Sequence, residues 1–410
     1  MKIAVYTNNF PNISQTFVIN QISGLIDLGA DVDVITSTVL RDSMMHDTVE
    51  KYNLMDSVIC KKVSDTPKLK RLLLTAKNAT KLILQGKFST VLSVIRDPLI
   101  TNDQKVDLLY WSSLNLPKRQ YDNIICHFGT NGYYVCKMRE VGIIGGPIST
   151  IFHGYELSRY RTLKENKPHY KKLFELGDLM LPISHLWKDK LIEMGCKPEK
   201  IRVHRMGIDV NDFTLRDVDS ELSTPLKVIQ VGRLTDKKAI LDSINAVLLA
   251  SKKIPIEFTI IGDGELYNEA KELIEKSDAN SFIHLLGKQP QKVVKDKLDE
   301  ADIFLLPSVK AKDGDMEGVP VALMEAMAKG LITLSTYHSG IPELIENDVS
   351  GYLVNEASIN ELSDTLIKIS QLSPEKVESI RRNAREKCES EFNNITLNKN
   401  IFNYSNLVLV

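Results

Sequence analysis

Short runs rich in β-branched residues recur along this chain, and stretches of helical periodicity separate them. The runs fall at residues 2–7, 32–36, 122–126, 149–152 and 179–183, and again at 226–231, 256–261, 283–286, 303–306 and 331–335. Between the first two, Phe17, Ile22, Leu25 and Leu28 lie at the spacing of a buried helical stripe. Ser14 is placed to cap that helix and Gly29 to end it. A strand, a helix and a second strand make the parallel α/β unit. The 410 residues are too many for one core, so two doubly wound domains of about 200 residues each are expected. Residues 209–225 are polar and turn-rich, with Ser220, Ser223, Thr224 and Pro225. They read as a linker between a first domain, 1–208, and a second, 226–388.

Several classes of function fall away on composition. Lys and Arg number 52 against 53 Asp and Glu, so no global positive charge draws nucleic acid to the chain. The five cysteines form no CxxC pair, which argues against a disulfide framework or a zinc site and suits a reducing cytoplasm. The turn after the first strand, Asn8-Asn9-Phe10-Pro11, has no glycine. It cannot be the G-x-G-x-x-G phosphate turn of a dehydrogenase. Residues 1–6 read as a strand rather than a signal peptide, and no apolar run approaches the roughly 20 residues of a membrane span. Residues 61–96 hold nine basic side chains against one acid, Asp65. Within them Leu69, Leu72, Leu73, Ala76 and Ile83 recur at helical spacing, while Lys70, Lys77 and Lys81 share another face. Such a basic amphipathic helix is suited to lie on an anionic membrane.

The densest chemistry lies at 313–330. Pro320 reads as the first residue of a helix and Gly330 as its stop. Glu317 precedes the helix and Glu325 lies within it, beside an apolar arc of Val321, Met324 and Ala328. The free N–H groups near Gly318, Val319 and Val321 make the helix entrance a natural anion site. Earlier, Gly232 follows a strand and leaves room for close approach to the backbone. Arg233 and Lys238 then place two cations on what reads as an exposed loop, with Lys237 a bystander. Arginine can grip phosphate oxygens bidentately, and lysine acts as a point charge. Gly262 ends a further strand. In the first half His127 stands at a strand's C-terminal end, where open α/β sheets bind ligands, and His153 follows the next run. Asp313-Gly314-Asp315 has the form of an Asp-x-Asp metal motif, in the loop before the key helix.

Glu317, seven residues and Glu325, followed by His338-Ser339-Gly340-Ile341-Pro342-Glu343, resemble the family 4 glycosyltransferases of GT-B fold. The run from Asp313 to Gly318 is similar to the branch that builds bacterial exopolysaccharides, colanic-acid-type enzymes included. Phe10-Pro11 with Ser14-Gln15-Thr16-Phe17 matches the first loop of that branch, and Gly207-Ile208-Asp209 its domain junction. The resemblance implies two Rossmann-like domains across a cleft, the chain's tail from about 389 to 410 crossing back onto the first. It implies that the second domain binds a nucleoside-diphosphate hexose, UDP- or GDP-linked, without metal or other cofactor. Arg233 and Lys238 would hold the diphosphate with the backbone of Gly318, Val319 and Pro320. Gly232 and Gly262 would line the nucleotide pocket. Glu317 would hold donor-sugar hydroxyls, Glu325 the ribose, and His153 the donor sugar. Thr16 and His127 would face the acceptor, a glycan or an undecaprenyl-type lipid-linked oligosaccharide. Transfer would retain anomeric configuration, in the cytoplasm or at the inner face of the plasma membrane. Two rivals stay open on the residues alone. A nucleotide-sugar 2-epimerase of the same fold would need an acid/base pair, for which only His127 and Glu317 offer themselves. A non-catalytic nucleotide-sugar-binding protein would have no need of all four of Glu317, Glu325, Arg233 and Lys238.

Overall fold

The computed structural model describes the whole chain except residues 13–14, 41–46, 61–67, 115, 217–220 and 408–410. The expected cap Ser14, the basic residues Lys61 and Lys62 with Asp65, the linker's Ser220 and the last three residues of the tail lie outside the described residues.

The first half contributes β1 (Lys2–Phe10), β2 (Asp31–Val39), β3 (Val58–Cys60), β4 (Arg119–Gln120), β5 (Asn123–His127), β6 (Ile144–Gly145), β7 (Ile148–Phe152) and β8 (Leu179–Pro182). Six of these form one sheet in the order β3-β2-β1-β5-β7-β8, and β4 pairs with β6 in a separate small ribbon. The second half contributes β9 (Leu226–Val231), β10 (Ile256–Ile261), β11 (Ile283–Leu285), β12 (Ile303–Leu306), β13 (Ile332–Thr336) and β14 (Tyr352–Val354). Its order is β11-β10-β9-β12-β13-β14. Every pairing in both sheets is parallel. The two sheets therefore share one winding, with strand order reversing between β1 and β5 and between β9 and β12. Ligands of such sheets bind beyond the strands' C-terminal ends at those reversals.

Helices cover both faces of each sheet, which explains why the strands read as unbroken apolar runs. In β12, Ile303 and Leu305 join one core and Phe304 and Leu306 another, as the two-residue period of a strand requires. The chain then returns. Phe392 is buried in the second domain, and Ile401 on the helix Asn394–Leu407 is buried in the core of the first. The crossing is stitched beside the linker. The Ile208 N–H donates to the Phe392 carbonyl at 2.9 Å, and the Asn394 N–H donates to the Ile208 carbonyl at 2.8 Å. Among the described residues no helix is long and apolar enough to cross a membrane.

Two expectations shift at the key helix. It spans Val321–Lys329, so Pro320 caps it rather than opening it. The ring sets φ at −65°, but ψ is 121° because the chain arrives from an extended loop. The Pro320 carbonyl accepts the Leu323 N–H at 3.1 Å. Val321 is 40% exposed, so the packed stripe is Leu323, Met324, Met327 and Ala328. Gly330, at φ 79°, ends the helix in the left-handed region.

Candidate active site

The ends of β9, β10 and β12 converge on one loop cluster. Gly232 and Gly262 both hold left-handed backbone, at φ 152° and 148°. A Cβ on Gly262 would sit 1.8 Å from the Gly232 carbonyl oxygen, so no other residue fits there. This contact brings the turn carrying Arg233 against the turn after β10. Arg233 is exposed and makes no ion pair among the described residues. Lys238 differs. It is only 16% exposed, and its ammonium lies 3.1 Å from Oε1 of Glu317. The buried Gln230 amide donates to the Lys238 carbonyl at 3.0 Å and fixes the turn. Lys237 is no bystander. Its ammonium holds Asp315 at 3.2 Å, and its carbonyl accepts the Val309 N–H at 3.0 Å. Two adjacent lysines thus clamp the loop that runs from β12 to the helix. Asp313, the other carboxylate of the Asp-x-Asp run, is held at 2.7 Å by Arg159 of the first domain.

Glu317 is held from both ends. Its backbone N–H donates to Nε2 of His338 at 3.1 Å, and its carbonyl accepts from the Ser339 hydroxyl at 2.6 Å. A peptide N–H can only donate, so His338 carries its proton on Nδ1. That atom lies 2.6 Å from Glu356. The fully buried imidazole is therefore a fixed link from Glu356 to the Glu317 backbone. Burial pushes the Glu317 carboxyl up, but Lys238 and then Lys237 more than reverse this and leave it below the ordinary carboxylate range. The next N–H groups, of Gly318 and Val319, meet no acceptor among the described residues. Glu325 lies further along the helix, half-buried. Burial pushes its carboxyl up to about 7 against the pull of Lys295.

The first domain forms the facing wall. His127 ends β5 and His153 follows β7, its neighbour in the sheet. Nδ1 of His127 and Nε2 of His153 lie 3.0 Å apart, with the rings stacked at 5.2 Å. Burial drives His127 down to about 3 and His153 well below its ordinary value, with His127 and His204 adding to the effect on His153. Both rings are neutral at pH 7, so one donates to the other. Phe17 and Phe128 each pack 4.6 Å from the His153 ring. The His153 N–H donates to Glu156 at 3.1 Å, whose other oxygen accepts the Gly129 N–H at 2.8 Å. Burial pushes the Glu156 carboxyl up to about 7 against those donors and the Tyr170 hydroxyl.

The two walls meet at Gly318. A Cβ there would lie 2.5 Å from Cδ1 of Ile183 and 3.0 Å from the His153 carbonyl oxygen. The Met316 N–H also donates to the Ser158 hydroxyl at 3.2 Å. Glu317, Gly318, Lys238 and His153 therefore share one place. His127, expected apart from His153 on the acceptor side, is its bonded partner. Thr16 is exposed at the start of its helix, and the next residue, Phe17, is the one that reaches the histidines. The supports contributed by Glu156, His338 and Lys237 were missed. The short spacing from His153 to Glu156 was the one local hint, since a carboxylate three residues on can cap a backbone N–H.

Comparison with known proteins bears on the family and the fold. The profile of the family described as "Glycosyl transferases group 1" matches residues 212–387. The chain is 39% identical over 402 residues to the putative colanic acid biosynthesis glycosyltransferase WcaL of Escherichia coli (strain K12), covering 98% of each chain. It is 40% identical over 404 residues to the amylovoran biosynthesis glycosyltransferase AmsK of Erwinia amylovora, covering 96% of each. Among solved structures, Anabaena HepE in complex with UDP and glucose superposes with a TM-score of 0.70 at 17% identity, over 98% of this chain and 99% of that one. The chain belongs to the group 1 glycosyltransferases and is a transferase of the GT-B fold.

Proposed function

We propose that this enzyme moves a hexose from a UDP- or GDP-sugar to a glycan or undecaprenyl-type lipid-linked acceptor in bacterial exopolysaccharide biosynthesis, with retention of configuration. The observation that carries the reading is the pairing of Lys238 with Glu317 beside the unpartnered N–H groups of Gly318 and Val319. It sets a cation and backbone donors, suited to a diphosphate, against a carboxylate suited to sugar hydroxyls. Residues 226–388 are assigned to the donor and 1–208 to the acceptor. Arg233 and Lys238 hold the diphosphate and take up charge growing on the leaving group. Glu317 orients the sugar, and His153 contacts it from the facing wall. Glu325 accepts hydrogen bonds from the ribose. The anomeric carbon's bond to the diphosphate oxygen breaks, and its bond to the acceptor oxygen forms on the same face. The acceptor's proton passes to the departing phosphate, so no dedicated base is needed.

Epimerisation finds less support. His127 is 1% exposed and bonded to His153, which makes it a poor acid or base for a substrate carbon. The test is a thermal-shift panel of UDP-, GDP-, ADP- and TDP-sugars on the wild type and on Glu325→Ala. A donor at about 100 times its Kd adds roughly 2.7 kcal/mol. The reading expects a UDP- or GDP-sugar to stabilise the wild type and the mutant much less. Sugar inversion at C2 without any acceptor would establish the epimerase instead.

A further inference from the structure

The helix Lys68–Leu84 and the shorter Phe88–Ile95 follow β3, the edge strand of the first sheet. From 68 to 96 the sequence holds seven basic residues and no acidic one. The longer helix packs on the helix Asn102–Ser113. Its packed side mixes polar and apolar residues, with Ala79 against the core. Asn78 is buried at 5%, Leu82 is fully buried, and Arg71 pairs with Asp103. Its apolar residues mostly face outward. Leu72 is 66% exposed, Leu73 63%, Ile83 47% and Leu84 83%. At about 100° per residue, these four and Ala76 fall within an arc of roughly 120°. Lys77 and Lys81 flank that arc on one side, exposed and without an ion pair among the described residues. On the next helix Phe88 and Ile95 are 55% and 47% exposed.

We infer that this surface docks the enzyme on an anionic bilayer, with the helix lying in the interface. A water-facing helix would put its apolar residues inward, whereas this one buries Leu82 and leaves Leu72, Leu73, Ile83 and Leu84 outside. A strip of leucines bordered by lysines matches the boundary between acyl chains and acidic headgroups. Charge decides between occupants. A second copy docked face to face would bring the exposed Lys77 and Lys81 of each copy together, whereas an anionic surface neutralises them. The inference concerns where the protein works and does not depend on which donor it binds.

The experiment is sedimentation of the full chain with vesicles of phosphatidylcholine alone or with phosphatidylglycerol mixed in. The variants are Leu73→Gln with Leu84→Gln, and Lys77→Glu with Lys81→Glu. All four positions are exposed, so the melting temperature should hold. Wild type should bind the phosphatidylglycerol vesicles preferentially, and each double variant should lose on the order of tenfold in partitioning. Equal binding to both vesicle types, or binding unchanged by either variant, overturns the proposal. So does a concentration-dependent dimer, by ultracentrifugation, that the leucine variant abolishes. The donor-induced thermal shift, read on the same samples without lipid, reports separately on the transfer reading.

Discussion

Lys238 and Glu317 lie 3.1 Å apart at the head of the cleft, one in the turn after β9 and the other in the loop after β12. The pair ties two strands' loops together and also sets Glu317's charge. The sequence alone reads Lys238 as part of an exposed loop. At 16% exposure and with a buried partner, its removal must cost stability as well as activity.

Lys238→Ala should lower kcat/KM by about 10²–10³ and destabilise the fold by roughly 2 kcal/mol at pH 7. Glu317 lies below its ordinary value of 4.5 when folded, so its contribution is present above that pH and fades as pH falls through the folded value. The mutant's deficit in melting temperature should be largest at neutral pH and shrink as pH falls below the ordinary value of 4.5. A deficit independent of pH would mean that lost packing, not the charge pair, was responsible.

Arg233→Ala is the contrasting case. Arg233 is exposed and unpaired among the described residues, so activity should fall about a hundredfold with the melting curve unchanged. Near-wild-type turnover would remove Arg233 from the phosphate site.

Glu325 titrates in the opposite direction. Its folded value is raised from 4.5 to about 7, so its ionised form works against the fold as pH rises through that window. Glu325→Gln should be more stable than wild type by on the order of 1 kcal/mol at pH 8, allowing for partial exposure, and should match it at pH 4. Donor affinity should nevertheless weaken about tenfold, which calorimetry would read directly. A stabilised variant with full donor affinity would exclude Glu325 from the ribose site.

Gly318→Ala tests how closely the domains must approach. The new methyl would meet Cδ1 of Ile183 at 2.5 Å. The clash should cost roughly 1–3 kcal/mol and depress kcat. Adding Ile183→Ala should return much of the lost activity, because it removes the obstructing atom. If the double mutant is no better than the single, the His153 carbonyl at 3.0 Å is the true obstacle.

Glu156→Ala should destabilise by about 2–3 kcal/mol, since it leaves the buried N–H groups of Gly129 and His153 without their acceptor. Turnover should fall with it. Glu156→Gln keeps one acceptor oxygen and should recover part of both losses, as denaturant melts and initial rates would show.

The fold was legible because parallel strands covered on both faces leave unbroken apolar runs, as in β12, and because Gly330 marks a helix end on its own. The candidate site was legible only where chemistry is local. Glu317 with Glu325 is a spacing, and Arg233 with Lys238 is one loop. The bond between His127 and His153 was not legible, because it depends on strand order. His127 pairs in register with Ile151, and that places His153 just past the end of the neighbouring strand. Lys237 and His338 act through partners 78 and 21 residues away. The leucine stripe of Lys68–Leu84 was read correctly as a stripe, but periodicity does not say which way it faces.

The double crossing between the domains fixes how the enzyme can open. Ile208 and the residues at 392–394 pass side by side, joined by two backbone hydrogen bonds, while the Arg159–Asp313 pair spans the domains in solvent at about half exposure on each side chain. An exposed ion pair is worth at most about 1 kcal/mol, and buried peptide groups that lose their partners cost more. Separation would give up the ion pair together with the Met316–Ser158, Tyr160–Asp313 and His185–Glu343 hydrogen bonds, and would keep the stitched line as a pivot. Swinging about that pivot withdraws Glu317 from His153 without dismantling either wall. On the proposed reading, Lys238, Glu317 and His153 come together only while the two walls are closed.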